Sequence, residues 1–196
     1  MSTGRTGRRP GPSNTRESIL TAARSRFAEV GFDAASIKSI AGLAAVDPAL
    51  VHHYFGTKRE LFVEAVALPV DPAVALAPLA DAPLESMGEA LLRTVVGIWD
   101  SPAGAGVLAA FRAIIAGGDE SLLRTFLLDV ALKGVRERLD DDAETRIALV
   151  AAQMVGLLVT RKILLIEPVA SMSIDDLAAV AAPTLQHYLT GPLDSA

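Results

Sequence analysis

Apolar residues recur every three or four positions along most of the chain, which is the spacing of amphipathic α-helices. Proline, glycine and side-chain caps separate the apolar stretches, and no stretch alternates apolar and polar residues as a half-buried strand does. The pattern therefore predicts an all-α fold, with a short N-terminal group of helices followed by a larger helical bundle.

Two short helices with a tight turn between them are predicted between residues 36 and 56. Ser36 offers an N-cap oxygen to the first helix, whose apolar stripe includes Ile40. Asp47 and Pro48 start the second helix, because Asp accepts from free backbone N–H groups and Pro fits the first helical position. This arrangement matches a DNA-binding helix-turn-helix, in which the second helix enters the major groove.

Helices on both sides complete this N-terminal unit. Asn14 and Glu17 open a preceding helix, whose apolar stripe supplies a core for the two short helices. Thr57 and Glu60 form a capping box that starts the next helix. We therefore assign residues 15–58 to a three-helix helix-turn-helix DNA-binding domain.

The last two predicted helices carry the most apolar surface. The first opens at residues 140–142, runs to about Ile166 and is apolar nearly all round, with small residues that permit close helix approach. The second begins at Ser173 and runs to Tyr188. Few other helices remain to cover this surface, so we expect a homodimer that buries the last two long helices. A monomer with a thicker core is the alternative.

Charge is divided unevenly along the chain. The net charge is −5, but residues 1–60 hold nine Lys and Arg against five Asp and Glu, and the remainder carries −9. A basic N-terminal third can neutralise DNA phosphates while the acidic remainder stays off the duplex, although chance gives such a division too. Residues 1–14 are predicted to form a flexible basic arm, either a minor-groove contact or a solubilising tail.

Composition narrows the class of protein. Cysteine is absent, which excludes disulfides and thiolate metal sites. The N-terminus has no apolar stretch of a secretory signal, and the most apolar run, residues 147–160, is shorter than the roughly 20 residues of a membrane span. We expect a cytoplasmic protein without a membrane contact, whose most apolar helix is buried.

One set of residues in the predicted DNA-binding region and in the helix after it matches the sequence pattern of a known family. It comprises Ile40-Ala41, Ala44-Ala45-Val46, Tyr54-Phe55, Lys58 and Leu61. With these residues, positions 15–66 resemble the DNA-binding domain of TetR-type transcriptional repressors. The segment VGLLVTRKILLIEPVA at residues 155–170 is similar to a segment of the same family. Two positions depart from the family pattern, since Ala45 replaces its usual Gly and His52 replaces an aromatic residue.

The resemblance implies a ligand-responsive DNA-binding regulator. Such a repressor binds a palindromic operator as a dimer, and a small-molecule effector moves its recognition helices away from a separation of one helical turn, about 34–36 Å. Residues 59–196 would then form the helical effector-binding and dimerisation domain. An activator, or an all-helical small-molecule-binding module without sequence-specific DNA binding, is the alternative. The effector and the operator are not identified by the sequence.

Candidate DNA contacts follow from the two faces of the recognition helix. Val51 and Phe55 fall on its packed face, while small apolar side chains and histidines on the outward face can meet thymine methyls, base edges or phosphates. Lys58 stands at a helix start, where free N–H groups also attract phosphate. The residues predicted to bind DNA are Ser36, Lys38, Ser39, Pro48, Ala49, Leu50, His52, His53, Tyr54 and Lys58.

The C-terminal part offers candidates for an apolar cavity and no catalytic constellation. Trp99, Phe111, Arg112, Phe126, Gln153 and Met154 are the candidate lining residues for a small apolar effector, and a plain core is the alternative. The chain lacks a phosphate-binding P-loop, a nucleophile elbow and a HExxH metal motif. We therefore expect no enzyme activity, no cofactor and no metal site.

Overall fold

The computed structural model describes residues 12–116 and 120–193, and over these ranges the chain is helical without a strand. Most of the predicted basic arm at residues 1–14 lies outside these ranges, as does the predicted helix boundary at residues 117–119. The N-terminal unit consists of four helices, α1 (Pro12–Ala34), α2 (Ile37–Leu43), α3 (Pro48–Phe55) and α4 (Lys58–Ala65).

A single apolar core holds α1 to α4 together. Phe27 of α1 and Phe62 of α4 are fully buried, and their rings meet edge to face with centroids 5.0 Å apart. Ile40 of α2 and Val51 of α3 complete the layer beneath the turn. The backbone of α1 leaves helical geometry at Gly31, where φ is 77° and a side chain would be strained. The predicted end of the first helix is therefore the site of a kink.

Three predicted caps of this unit are confirmed, but the prediction that Asn14 opens the first helix is wrong, because α1 already begins at Pro12. Ser36 and Ser39 form a reciprocal capping box at the start of α2, and Thr57 and Glu60 form another at the start of α4. The carboxylate of Asp47 accepts from the N–H of Ala49 at 2.7 Å and caps α3. These bonds satisfy backbone donors that a helix cannot satisfy internally, so residues close in sequence fix where each short helix begins.

The second part of the chain is a helical bundle. Its elements are α5 (Pro72–Ala75), 3₁₀ turns at Ala77–Leu79 and Leu84–Ser86, α6 (Met87–Asp100), α7 (Gly104–Ala116), α8 (Glu120–Thr125), a π-helical segment at Phe126–Ala131, α9 (Lys133–Arg136), α10 (Ala143–Leu158), a second π-helical segment at Val159–Ile163, and α11 (Ile174–Thr190). The first π-helical segment directly follows α8 and interrupts the regular helix there. We call Phe126–Ala131 the wall segment.

Helices α6, α10 and α11 form the centre of this bundle. Their buried side chains include Leu91, Ile147 and Leu185, which belong to one apolar cluster. Helix α11 approaches α6 closely at Gly88, where an added Cβ would lie 2.6 Å from the backbone nitrogen of Gln186. Gly88 also donates its N–H to the Gln186 side chain at 2.9 Å, so this helix pair is fixed in register.

The apolar helix near the C-terminus is longer than its most apolar run. Ala143–Ile163 spans 21 residues with a mean hydropathy of 1.4, which in the described part of the chain makes it long and apolar enough to cross a membrane. The run at residues 147–160 is shorter than a membrane span, but the helix that contains it is not. Core helices of globular proteins share this composition, and Ile147, Met154 and Leu158 are buried inside the bundle.

Candidate nucleic-acid interface and cavity

Helix α3 is held by one face and exposed on the other. Val51 and Phe55 are buried against the core of the N-terminal unit. Pro48, Ala49 and His52 are exposed, as is His53, while Leu50 and Tyr54 are partly buried. The packed and outward faces of α3 therefore match the helical periodicity of the sequence. The exposed face of α3 presents small apolar groups and imidazoles, a combination suited to thymine methyls and polar base edges.

The imidazole of His52 is oriented by the end of its own helix. Its Nδ1 lies 2.8 Å from the carbonyl oxygen of Gly56. A carbonyl oxygen only accepts, so Nδ1 must carry the proton in this bond. In the neutral ring, Nε2 is then a hydrogen-bond acceptor, suited to an exocyclic amino group of adenine or cytosine. The sequence indicates that His52 can meet a base edge or a phosphate, and the contact with Gly56 assigns the acceptor to Nε2.

The turn between α2 and α3 contains a strained alanine. Ala45 has φ of 54°, in the left-handed region that favours glycine. The next N–H, of Val46, donates to the carbonyl of Ala41 at 3.0 Å, which is the bond that closes a helix C-terminus through a left-handed residue. Ala45 occupies the position at which the family pattern has Gly, and its backbone angle gives the physical reason for that preference.

Lys58 has a different role from the phosphate contact predicted for it. Its ammonium donates to the backbone carbonyls of Phe32, Asp33 and Ala35 at 2.8, 3.2 and 2.9 Å, and lies 4.6 Å from the centroid of the Phe32 ring. An ammonium group has three donors, and all three are directed to these carbonyls. The predicted phosphate contact does not fit this geometry, because Lys58 ties the start of α4 to the end of α1.

The predicted backbone contacts on α2 separate into two groups. The hydroxyls of Ser36 and Ser39 form the capping box, and Ser39 Oγ also donates to the carbonyl of Ser36 at 2.8 Å. Lys38 is exposed beside them. Lys38 is therefore the cation on α2 that is positioned to meet a phosphate, while the two serines chiefly fix the helix start.

A cavity of about 120 Å³ lies inside the helical bundle. Its walls come from the segment after α4, from α5 to α8, from the wall segment and from α10. Four predicted residues line it, namely Trp99, Phe111, Phe126 and Met154. Arg112 and Gln153 do not. Arg112 follows Phe111 by one position, and Gln153 precedes Met154 by one position. One position along a helix turns the direction of the side chain by about 100°. Arg112 is exposed accordingly, and Gln153 is partly buried away from the cavity.

Sequence reasoning also missed part of the lining. Leu91 and Val95 precede Trp99 by eight and four positions on α6. Leu123 lies on α8, three positions before Phe126. Extending the helical spacing backwards from each aromatic residue would have found them. Residues of the segment after α4, such as Leu68, carry no such signal, because that segment is not a regular helix.

The cavity wall is also the support of the N-terminal unit. Phe126 and Leu127 line the cavity, while Thr125, directly before them, donates its hydroxyl to the carbonyl of Phe27 at 3.2 Å. Asp129, within the wall segment, accepts from the N–H of Phe32 at 3.3 Å. One short stretch of chain therefore contacts the cavity and the end of α1.

An ion pair reinforces the same junction. Lys133 lies 2.9 Å from the carboxylate of Asp33. The hydrogen bond from Lys133 lowers the pKa of Asp33, against the opposing effect of burial. Both side chains are substantially exposed, so the pair orients the two parts of the molecule more than it stabilises them.

A second charged cluster fixes the far end of the bundle. Arg161 is 6% exposed and donates to the carbonyls of Val169 and Met172, each at 2.8 Å, and to the Asp100 carboxylate at 2.9 Å. Burial would raise the pKa of Asp100, but the hydrogen bonds from Arg161 and Lys162 outweigh it and hold the pKa below its ordinary value. The cluster joins the ends of α6 and α10 to the loop before α11.

Two protein families match the chain, one in each part. Residues 19–65 match the family described as "Bacterial regulatory proteins, tetR family", and residues 85–189 match the "Tetracyclin repressor-like, C-terminal domain". The first match includes α3 and α4, and the second includes the wall segment and all of α11 except its last residue. No curated protein matches the chain.

Solved structures of similar proteins cover nearly the whole chain. A TetR-family regulator from Streptomyces coelicolor A3 is 36% identical over 94% of this chain and 99% of its own, with a TM-score of 0.46. GusR of Salmonella enterica is 25% identical over 93% and 97%, with a TM-score of 0.41. NalD, the secondary repressor of the MexAB-OprM multidrug efflux pump in Pseudomonas aeruginosa, is 19% identical over 90% and 96%, with a TM-score of 0.41.

Proposed function

The chain belongs to the TetR family of bacterial regulatory proteins, and on that premise we propose that it is a repressor released from DNA by a small-molecule effector. Proteins of this family bind DNA and act as dimers with small-molecule effectors. The finer proposal for this chain is a palindromic operator, bound by one α3 from each protomer. The protein acts in the cytoplasm, where the DNA is, and carries out no catalysis.

The observation that carries the proposal is the presentation of α3. Its packed side is fixed by Val51 and Phe55, and its outward side holds Pro48, Ala49 and His52 without an acidic residue. Ala49 and Pro48 suit thymine methyl groups, and the Nε2 acceptor of His52 suits an amino group on a base edge. Helix α3 would therefore read sequence, while Lys38 on α2 holds the phosphate backbone.

Dimerisation through the last two long helices is supported by small and apolar residues at several of their exposed positions. On α10 the exposed positions include Ala148, Ala152 and Gly156, one turn apart. On α11 the exposed positions include Ala179 and Val180, the latter 62% exposed. Small side chains let helices of two protomers approach closely, and a two-fold interface would repeat this surface on both. The two α3 helices would then face half-sites one helical turn apart.

Release by the effector is supported by the position of the wall segment. A ligand in the cavity would displace Phe126 and Leu127, and the same stretch holds the end of α1 through Thr125 and Asp129. Because packed cores respond by discrete shifts, a small movement of the wall would change the position of the N-terminal unit. In a dimer this changes the spacing of the two α3 helices and lowers operator affinity.

Fluorescence anisotropy with DNA from upstream of the chain's own gene tests the proposal. We expect tight binding to one palindromic segment, weaker binding to a scrambled duplex of equal length, and affinity that falls steeply with salt. A duplex carrying a single half-site is the matched control for dimeric binding and should bind much more weakly. Equal affinity for intact and scrambled DNA, or no binding, would instead favour the small-molecule-binding module without sequence-specific DNA binding.

Repression is tested separately from binding, with a reporter gene behind the same upstream DNA. Loss of the chain should raise reporter output if it represses transcription. A fall in output would identify an activator that uses the same DNA-binding surface.

A further inference from the structure

The cavity of the bundle is lined by hydrophobic residues. Among the described residues, every side chain that lines it is Ala, Val, Leu, Ile, Met, Phe, Pro or Trp. No lining residue carries a charge, and the indole N–H of Trp99 is the one conventional side-chain donor among these described residues. Within the described part of the chain, the lining therefore offers no partner for a carboxylate or an ammonium and few for several hydroxyl groups.

We propose that the effector is a small, uncharged apolar molecule of about one ring, carrying at most one hydrogen-bonding group. This inference rests on the proposed function for its regulatory meaning, but the binding itself does not depend on it. An ion would lose its hydration on entering this cavity and find no counter-charge. A neutral apolar molecule instead exchanges water contacts for contacts with the wall.

The size of the cavity sets the size of the ligand. An apolar cavity of about 150 Å³ lined by similar side chains stays dry and accepts benzene, and the cavity here encloses about 120 Å³. The aromatic rings of Trp99, Phe111 and Phe126 and the thioether of Met154 favour an aromatic ligand, through ring–ring and sulfur–ring contacts. A benzene derivative with one small substituent matches both the volume and the lining.

Three charged groups close in sequence to the lining are directed away from it. Asp100 follows Trp99, but its carboxylate accepts from Arg161 and pairs with Lys162. Arg112 follows Phe111 but is exposed. Asp129 lies two residues after Leu127 and accepts from the Phe32 N–H. None of these three lines the cavity, so the ligand meets an apolar surface on each of these helices.

Toluene and benzoate are the matched probes. They share a ring and differ in that benzoate carries a full negative charge. Melting of the full chain is followed by circular dichroism at increasing concentrations of each. We expect toluene to raise the melting temperature saturably, as a ligand of the folded state does, and benzoate to leave it unchanged. Equal stabilisation by benzoate, or no shift with toluene, would overturn the proposed ligand class.

A cavity-filling variant locates the toluene site. Ala110 of α7 lines the cavity and is 4% exposed, so Ala110→Leu places three more carbons in it. Ala113 on the same helix is exposed and outside the lining, and Ala113→Leu is the matched control. Toluene should no longer stabilise A110L but should stabilise A113L as it does the natural chain. Undiminished toluene binding to A110L would overturn the assignment.

A second variant guards against misfolding of the first. Ala151 of α10 lines the same cavity from another helix and is 7% exposed, so Ala151→Leu fills it independently. A variant that melts cooperatively is folded, so the effect of toluene is judged on that variant.

Operator binding measured in the same samples separates the two proposals. If toluene stabilises the protein but leaves it on DNA, the ligand class stands and the release mechanism fails. If the natural chain binds operator DNA as expected but toluene changes neither its melting temperature nor its DNA binding, the proposed ligand class fails and the proposed function stands.

Discussion

The ammonium of Lys58 lies 2.8 Å from the carbonyl oxygen of Phe32 and 4.6 Å from the centroid of its ring. The two residues are 26 positions apart, and their contact joins the start of α4 to the end of α1. Helix α1 also contacts Thr125 and Asp129 of the bundle, so Lys58 holds the part of the N-terminal unit through which the two halves of the molecule meet.

Replacing Lys58 with Met should lower stability and leave the electrostatics of DNA binding unchanged. The variant loses hydrogen bonds to three carbonyls and a cation–π contact, so we expect a loss of about 1–3 kcal/mol in the free energy of unfolding. Urea denaturation measures this loss. The slope of log affinity against log salt for DNA binding should stay the same, because Lys58 has no donor left for a phosphate.

Lys38→Met is the control for Lys58→Met. Lys38 is exposed on α2, so its loss should reduce the salt slope by about 1 and leave the unfolding free energy nearly unchanged. A reduced salt slope for K58M together with unchanged stability would show that Lys58 contacts phosphate after all.

Ala45→Gly should stabilise the protein. Ala45 has φ of 54°, where a Cβ crowds the following carbonyl, and glycine removes this strain for a gain of about 1 kcal/mol. Thermal or urea denaturation measures the change. Ala44→Gly is the adjacent control, since Ala44 has φ of −79° in the right-handed region and should lose about 0.5–1 kcal/mol. Destabilisation of A45G comparable to that of A44G would contradict the strain.

His52→Ala should weaken operator binding about tenfold, or about 1.4 kcal/mol, and leave binding to scrambled DNA unchanged, because a contact with a base edge depends on the DNA sequence. Anisotropy with the two duplexes measures both affinities. Circular dichroism of the free variant checks that losing the bond to Gly56 has not unfolded the end of α3. An equal loss on both duplexes would assign His52 to the phosphate backbone instead of a base.

Asp100→Asn should destabilise the bundle by about 2 kcal/mol near neutral pH, the scale of a hydrogen bond between charged groups. The pKa of Asp100 is lowered in the folded protein, so its contribution is present above the unfolded pKa of about 3.9 and is lost as pH falls towards the folded value. The difference between natural and variant protein should therefore stay constant from about pH 7 to 5 and shrink below about pH 4.

Urea denaturation across this pH range measures the Asp100 effect. Asp175→Asn is a suitable control, because Asp175 pairs with Arg93 at a strongly exposed site and should contribute little at any pH. A difference between D100N and the natural chain that grows on acidification would contradict the lowered pKa.

Much of the N-terminal unit could be predicted because its signals are local. The caps at Ser36, Asp47 and Thr57 act on N–H groups two or three residues away, and the packed positions Val51 and Phe55 follow from helical spacing. The family resemblance was carried by the same stretch. The identity of the family, the all-helical fold and the burial of α3 on one side are confirmed.

The cavity could be predicted only in part. Trp99, Phe111, Phe126 and Met154 do line it, but Arg112 and Gln153, which were also candidate lining residues, do not. Apolar residues that line a cavity and those that fill a core have the same spacing on a helix. The sequence therefore favours an apolar interior without showing where it stays empty or which face of each helix borders it.

The amino-acid sequence by itself determined the helices, their caps and the exposed face of α3, because each depends on residues within about one helical turn. Tertiary structure alone decided the role of Lys58 and the link from the wall segment to Phe32. It also decided that no charged side chain among the described residues lines the cavity. Lys58 and the wall segment depend on residues 26 and 97 positions away. Side-chain donors are assigned by the nearest acceptor in space, which the order of residues does not specify.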